Sequence, residues 1–377
     1  MAALLILPSF VRSQWNTDPA TEAHIQQGIR YIYNLSFDSA RTEFREVVRL
    51  KPDHPAGHFF LGTVEWWNIL IDLDNKSHDE QFFSMMDTVI DLSDKLLDHD
   101  DNDVTALFFK GGALGFKGRL HGARSEWLKA ANDGREAMPI VQRAYALAPQ
   151  NNDILLGIGI YNYYAAIIPE QYPVVKPLMI FFPSGDKQKG IKQLRQAAEK
   201  GQYANVEATY FLLQLYQNYE KQYDLGLPLA QKLFGEFPGN VIFHKYIGRC
   251  YTATNHIAEM GSTFTEILRR VNEHQSGYNT AVEREAEYYL GQYNMTISNF
   301  AEALRHLYRC DEISRKLDKE EQSGFMVMAN LKIGMIYDMQ SKREFALKQY
   351  NKVITMNEYL DAHDQAKKYL KTPYGKL

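Results

Sequence analysis

Four short stretches of the chain carry side chains that could do chemistry. His54 and His58 stand four apart, the spacing that places two imidazoles on one helical face for a metal ion. Yet Pro55 lies between them, His54 falls in a turn, and no HExxH pattern follows. His244 and His256 have no third ligand nearby in the sequence. The run Asp98-His99-Asp100-Asp101-Asn102-Asp103 gathers oxygen donors of the kind calcium favours. It lacks the central glycine and closing glutamate of a calcium loop, and between helices such residues serve as caps and turn formers. Pro183-Ser184-Gly185-Asp186-Lys187 invites comparison with a phosphate loop, but it has too few glycines, no GK[ST] ending and no preceding strand. No nucleophile elbow or other catalytic signature is present. The reading is a binding protein rather than an enzyme, with no catalytic residue, metal or cofactor.

What must position any ligand is a recurring pattern of small and aromatic residues. Gly28, Tyr31, Ala40 and Phe44 form a set that Pro52 closes, and Gly334, Tyr337, Ala346 and Tyr350 repeat its spacing. Gly248, Tyr251 and Phe264, then Leu290, Gly291, Ala303 and Leu307, fall between them. A small residue on a first helix, an aromatic one turn on, then alanine and a large residue on a second helix describe a helical hairpin repeated about every 34 residues. The glycine permits close approach of the two helices. Units open near Thr21, Pro55, Val104, Glu207, Val241, Arg284 and Val327, with Gly111 and Trp127 in register in the third. The centre, residues 151–204, departs from this rhythm: Pro169, Pro173, Pro177 and Pro183 forbid one continuous helix. The expected order there is a helix from Leu155 to Ile167, a connector around Val174 to Phe182, and a helix from Asp186 or Lys187 to Lys200. A lysine-rich helix at about 361–372 caps the end.

Composition excludes little but sets priorities. The 377 residues include 24 tyrosines and 20 phenylalanines, enough to fill helix seams throughout. A formal charge of -4, with acidic and basic residues interspersed, gives no reason to expect a nucleic-acid partner. Cys250 and Cys310 sit on different repeats and read as core thiols rather than a disulfide. Residues 1–13 read as a truncated signal peptide: Ala2 to Val11 are apolar apart from Ser9, and Val11-Arg12-Ser13 resembles a cleavage site before Gln14. That stretch is too short to span a bilayer. Residues 14–377 then form a single array that is exported, periplasmic or attached to the cell envelope, with a cytoplasmic location as the alternative.

The residues from Thr21 to Tyr359 resemble the tetratricopeptide repeat family. The resemblance implies an all-α fold, a right-handed superhelical solenoid of about eight hairpins, some enlarged. More weakly, Gly159-Ile160-Tyr161-Asn162, Ile167-Ile168-Pro169, Lys176-Pro177-Leu178, Gly185-Asp186-Lys187 and Gly190 are similar to the central block of the tetratricopeptide-repeat-39 family. That likeness implies a helical scaffold without known catalytic chemistry.

In such a solenoid the first helices line the concave face, so their exposed side chains are the default binding groups. Trp66 and Trp67 are adjacent and cannot share a helical face, so one packs and Trp67 is expected at the surface. Tyr161 is expected to pack and Tyr164 to be accessible. Lys176, Asp186 and Lys187 flank the central connector, where they position a ligand or hold the connector by ion pairs. The expected partner is a protein or peptide of a bacterial cell envelope. The alternatives are a lipid or small apolar ligand in the aromatic centre, peripheral membrane association, or an intracellular adaptor role.

Overall fold

A computed structural model describes Trp15, residues 17–171 and residues 183–375, and among these every regular element is helical. The chain forms two compact units, Met1–Glu220 and Lys221–Leu377. The first contains α1 (Pro19–Tyr33), α2 (Phe37–Leu50), α3 (Ala56–Ile71), α4 (Asp79–His99), α5 (Val104–Ala123), α6 (Trp127–Leu147), α7 (Ile154–Gln171), α8 (Lys187–Lys200) and α9 (Asn205–Gln214). A π-turn, Leu215–Tyr219, extends α9. The second contains α10 (Tyr223–Glu236), α11 (Val241–Ala253), α12 (Ile257–Asn272), α13 (Thr280–Thr296), α14 (Phe300–Leu317), α15 (Gly324–Met339), α16 (Arg343–Ile354) and α17 (Ala362–Lys371). Consecutive helices pack as antiparallel hairpins, α1 with α2 through α7 with α8 in the first unit and α11 with α12 through α15 with α16 in the second. The fold is therefore all-α and tetratricopeptide-like. The expected repeat from Glu207 to Pro238 is where the chain divides, α9 belonging to the first unit and α10 to the second.

The repeating glycine does what its spacing implies. A methyl group added at Gly248 would lie 2.6 Å from Cζ of Phe264, at Gly291 2.6 Å from Cδ2 of Leu307, and at Gly334 2.6 Å from Cε1 of Tyr350. Each first helix thus touches a large side chain of its own second helix where only hydrogen fits. The turn between the two helices repeats as well. Leu35, Asn255, Ser298 and Ser341, each seven residues after its glycine, adopt positive φ of 57 to 60°. The next residue's N–H reaches back across the helix end: Ser36 to the Tyr31 carbonyl (2.9 Å), His256 to Tyr251 (2.9 Å), Asn299 to Asn294 (2.8 Å) and Lys342 to Tyr337 (2.8 Å). This is the six-residue closure that ends helices at a left-handed residue, met here without glycine.

The third hairpin departs from the expected register. Trp127 is 60% exposed at the start of α6, and Gly111 instead faces Val141, 2.6 Å from where a methyl would stand. Helix α6 is continuous from Trp127 to Leu147, with Pro139 inside it. In the central hairpin α8 starts at Lys187 behind the Asp186 cap and ends at Lys200, as expected, while α7 runs on to Gln171 with Pro169 in its last turn. Gly185 and Gly190 lie against the backbone of α7, where a methyl at Gly190 would meet Tyr163 N at 2.7 Å. The connector around Val174 to Phe182, Lys176 and residues 1–13 lie outside the described residues. No helix among those described is long and apolar enough to cross a membrane.

Candidate functional site

A helix turns about 100° per residue, so positions three and two before a reference residue, and one, four, five and eight after it, fall within one arc on its side. Counted from the repeat glycine, that arc of the first unit holds Tyr33 (α1), Trp66 and Trp67 (α3), and Phe116 and Arg119 (α5). It is already occupied. Helix α9 is buried from Val206 through Leu213 and lies against these side chains. Tyr210 packs on Trp67 with ring centroids 5.4 Å apart. Glu207 accepts a hydrogen bond from Arg119 Nη1 at 2.8 Å and from the Tyr33 hydroxyl at 3.4 Å. The Arg119 guanidinium sits 4.4 Å from both the Trp66 and Phe211 ring centres. Desolvation and the Glu207 charge together push the Tyr33 hydroxyl well above its ordinary range. The first unit fills its own concave face.

That arrangement corrects one expected binding residue. Trp67 is 1% exposed, held between Tyr33 (5.2 Å) and Tyr210, and Trp66 is buried with it. Adjacent tryptophans on a helix surrounded on all sides both pack. Tyr164 is half-buried, edge-on to Tyr163 (5.5 Å) and Tyr219 (5.7 Å). Tyr163 donates to Glu220 at 2.6 Å, and Lys187 pairs with the other Glu220 oxygen at 3.0 Å. Tyr161 donates to the Pro183 carbonyl at 2.6 Å. Asp186 caps α8 by accepting from Lys189 N. The structure thus gives Asp186 and Lys187 local structural partners and does not gather them with Trp67. The aromatic centre packs largely upon itself.

The histidines behave as structural groups. His54 bonds the Trp15 carbonyl (3.0 Å) and accepts from Ala56 N (3.2 Å), using both ring nitrogens. His244 lies on the Phe234 ring at 4.2 Å with Nδ1 3.0 Å from the Tyr278 hydroxyl, and burial, aided by Arg270, lowers its pKa to about 4. Asp103 caps α5 and Asp100 accepts from Asn102 N, as expected of a turn. Among the described residues no three His, Cys, Asp or Glu side chains come together as a metal site.

The second unit presents the same arc with different contents. Lys245 and Tyr288 stand three residues before their glycine, Tyr246, Tyr289 and Lys332 two before, and Arg249 one after. Glu285 is the buried centre of one cluster: Arg249 grips it with both Nε (2.6 Å) and Nη2 (2.8 Å), and Lys245 approaches at 3.3 Å. Burial alone raises a carboxyl pKa, but these two cations hold Glu285 at about 2. Burial lowers the pKa of Lys245. Beside it, Tyr288 stands edge-on to Phe325 at 5.4 Å. The Arg284 guanidinium lies 5.3 Å over Phe325 and the Lys332 ammonium 5.9 Å over Tyr288. Arg284 pairs with Asp318 through Nη1 at 2.8 Å, while its Nε is buried without a partner. Among the described residues no carboxylate comes within ion-pair distance of Lys332, and burial lowers its pKa. The face holds four cations against Glu285 and Asp318, on a floor of aromatic rings.

Sequence reasoning passed over Lys245, Arg249, Arg284 and Lys332. Counting from the repeat glycine would have found three of them, because their positions on the arc follow from helical geometry alone.

This is an all-α helical-repeat protein built of tetratricopeptide-like hairpins, with one self-filled and one cation-lined first-helix face. No protein-family model matches the chain, and no curated protein does. Among solved structures it is similar to a human IFIT1 dimer with m7Gppp-AAAA, at 14% identity and a TM-score of 0.45, over 95% of this chain and 86% of that one. A monomeric IFIT1 mutant with Gppp-AAAA matches at 13% identity and a TM-score of 0.46, over 96% and 88%.

Proposed function

We propose that the chain is a non-catalytic scaffold that binds a protein or peptide on the face formed by α11, α13 and α15. The observation that carries this reading is the contrast between the units: the first-helix face is filled by α9 in one, while in the other it carries Arg284 and Lys332 over aromatic rings, Arg284 with an unpartnered Nε and Lys332 with no carboxylate in ion-pair distance among the described residues. Aromatic and arginine side chains in partly desolvated settings are the groups that dominate interface energies. An excess of positive charge in such a setting selects a ligand that brings negative charge. We further propose a cell-envelope setting, a reading that rests on residues 1–13. Crosslinking the full precursor in cells, followed by mass spectrometry of the partner and of the mature N-terminus, tests both parts. A chain beginning at Gln14 with an envelope protein joined through α11, α13 or α15 supports them. An intact N-terminus with cytosolic partners removes the envelope setting, and crosslinks confined to other helices remove the proposed face.

A further inference from the structure

The first unit shows in its own chain how a concave face of this type receives a helix. Helix α9 brings Glu207 and Phe211, four residues apart and so on one side of the helix. The pair closes around Arg119: Glu207 takes the guanidinium hydrogen bond at 2.8 Å, and the Phe211 ring lies 4.4 Å from the cation, as does the Trp66 ring. Three elements make this lock: a cation held over a resident aromatic ring, an incoming carboxylate, and an incoming ring one turn further on.

The second unit holds the resident half of the same lock and lacks the incoming half. Arg284 lies over Phe325 and Lys332 over Tyr288, and those two rings touch edge to face. The Arg284 Nε has no acceptor, and Lys332 has no carboxylate within ion-pair distance among the described residues. By contrast Arg249 and Lys245 on the neighbouring helix are already neutralised by Glu285. Negative charge is therefore wanted at α13 and α15 rather than at α11.

Resting on the proposed binding role of this face, we infer that its ligand is an amphipathic α-helix of a partner protein, carrying Asp or Glu and, four residues later, Phe, Tyr or Trp. The carboxylate docks between Arg284 and Lys332, and the aromatic ring covers the cation from the solvent side. Charge complementarity and a helix fit each follow from the chemistry of the cation-over-ring pairs and the example of α9. An extended peptide puts residues four apart on one face but about 13 Å from each other, too far for both to close on a single cation.

The test selects random 15-residue display peptides on the full-length chain and measures the winners by fluorescence anisotropy. The expected winners carry the acid and aromatic four apart. Replacing the acid by its amide weakens them about ten-fold or more, the size of a charge-assisted hydrogen bond. A proline between the two groups has a similar effect. Lys332→Glu loses the peptide and recovers binding of a version with Lys in place of the acid, and an unchanged circular-dichroism melt shows that the variant is folded. Winners that depend on Lys332 but lack the acid–aromatic pair, or tolerate the proline, overturn this inference and leave the binding face standing. Winners indifferent to Lys332→Glu, or no winners together with no Lys332-dependent binding of an oligoadenylate, overturn the face itself. Binding of an oligoadenylate that Lys332→Glu abolishes, with no peptide selected, replaces the helix by a nucleic acid.

Discussion

Replacing Gly248 by alanine tests the packing rule on which every hairpin is built. The new methyl would lie 2.6 Å from Phe264 Cζ, whereas carbon atoms rest at about 3.5 to 4.0 Å, so the ring has to move by about 1 Å. Phe264 is fully buried and stacked on Tyr289 at 4.4 Å, which blocks the easy direction. Overpacking of this kind costs about 1 to 3 kcal/mol, and the better helix propensity of alanine returns about 1 kcal/mol. The net expectation is a loss of up to about 2 kcal/mol, or a drop of up to about 8 °C in Tm at about 2 to 4 °C per kcal/mol. Gly235, in the same unit, provides the control: nothing lies within 4 Å of its added methyl, so Gly235→Ala gains a few tenths of a kcal/mol or more. Thermal melts by circular dichroism read both. Adding Phe264→Leu to Gly248→Ala should relieve the clash, a coupling measured by a double-mutant cycle. If Gly248→Ala stabilises the chain as Gly235→Ala does, the close approach is not what the glycine is for.

Further outcomes follow from buried groups. His244 stays neutral when folded, with its pKa lowered to about 4 from 6.5 by burial and by Arg270, and Glu266 and Tyr278 also face it. Its contribution is whole above pH 6.5 and is lost as pH falls toward 4, by about 3 kcal/mol at 1.36 kcal/mol per pH unit; urea melts of His244→Phe should be flatter over that window. Glu285→Gln strands Arg249 and Lys245 and should cost on the order of 3 kcal/mol in a urea melt. Burial raises the Cys250 thiol to about 11 and Cys310 to about 12, so neither should react with Ellman's reagent at pH 8 until the chain is unfolded. Trp15 is fully buried on Phe108 (4.0 Å) and donates to Asp153 at 2.9 Å, so Trp15→Ala should cost about 3 to 5 kcal/mol and lower the Tm.

What could be read from the sequence depended on how local its cause was. The glycine-to-aromatic spacing holds because both partners sit in one hairpin, and Asp186 marks the start of α8 because a cap acts on the next turn. Trp127 misleads because the third hairpin is longer, which moves the residue facing Gly111 from α6's first turn to Val141. Trp67 misleads for a different reason: Tyr210, which covers it, lies far along the chain, and no periodicity within α3 announces that contact. Lys245, Arg249 and Lys332 are legible in register from their glycines while Arg284 is not, and the proline-rich centre points instead to Lys176, Asp186 and Lys187.

The most direct measurement places a photo-crosslinking amino acid at Tyr289, on the proposed face, and separately at Phe345, an exposed ring on the second helix α16. Irradiation in cells should join a defined protein partner at position 289 and not at 345. A partner captured at 345 and never at 289 would contradict the account.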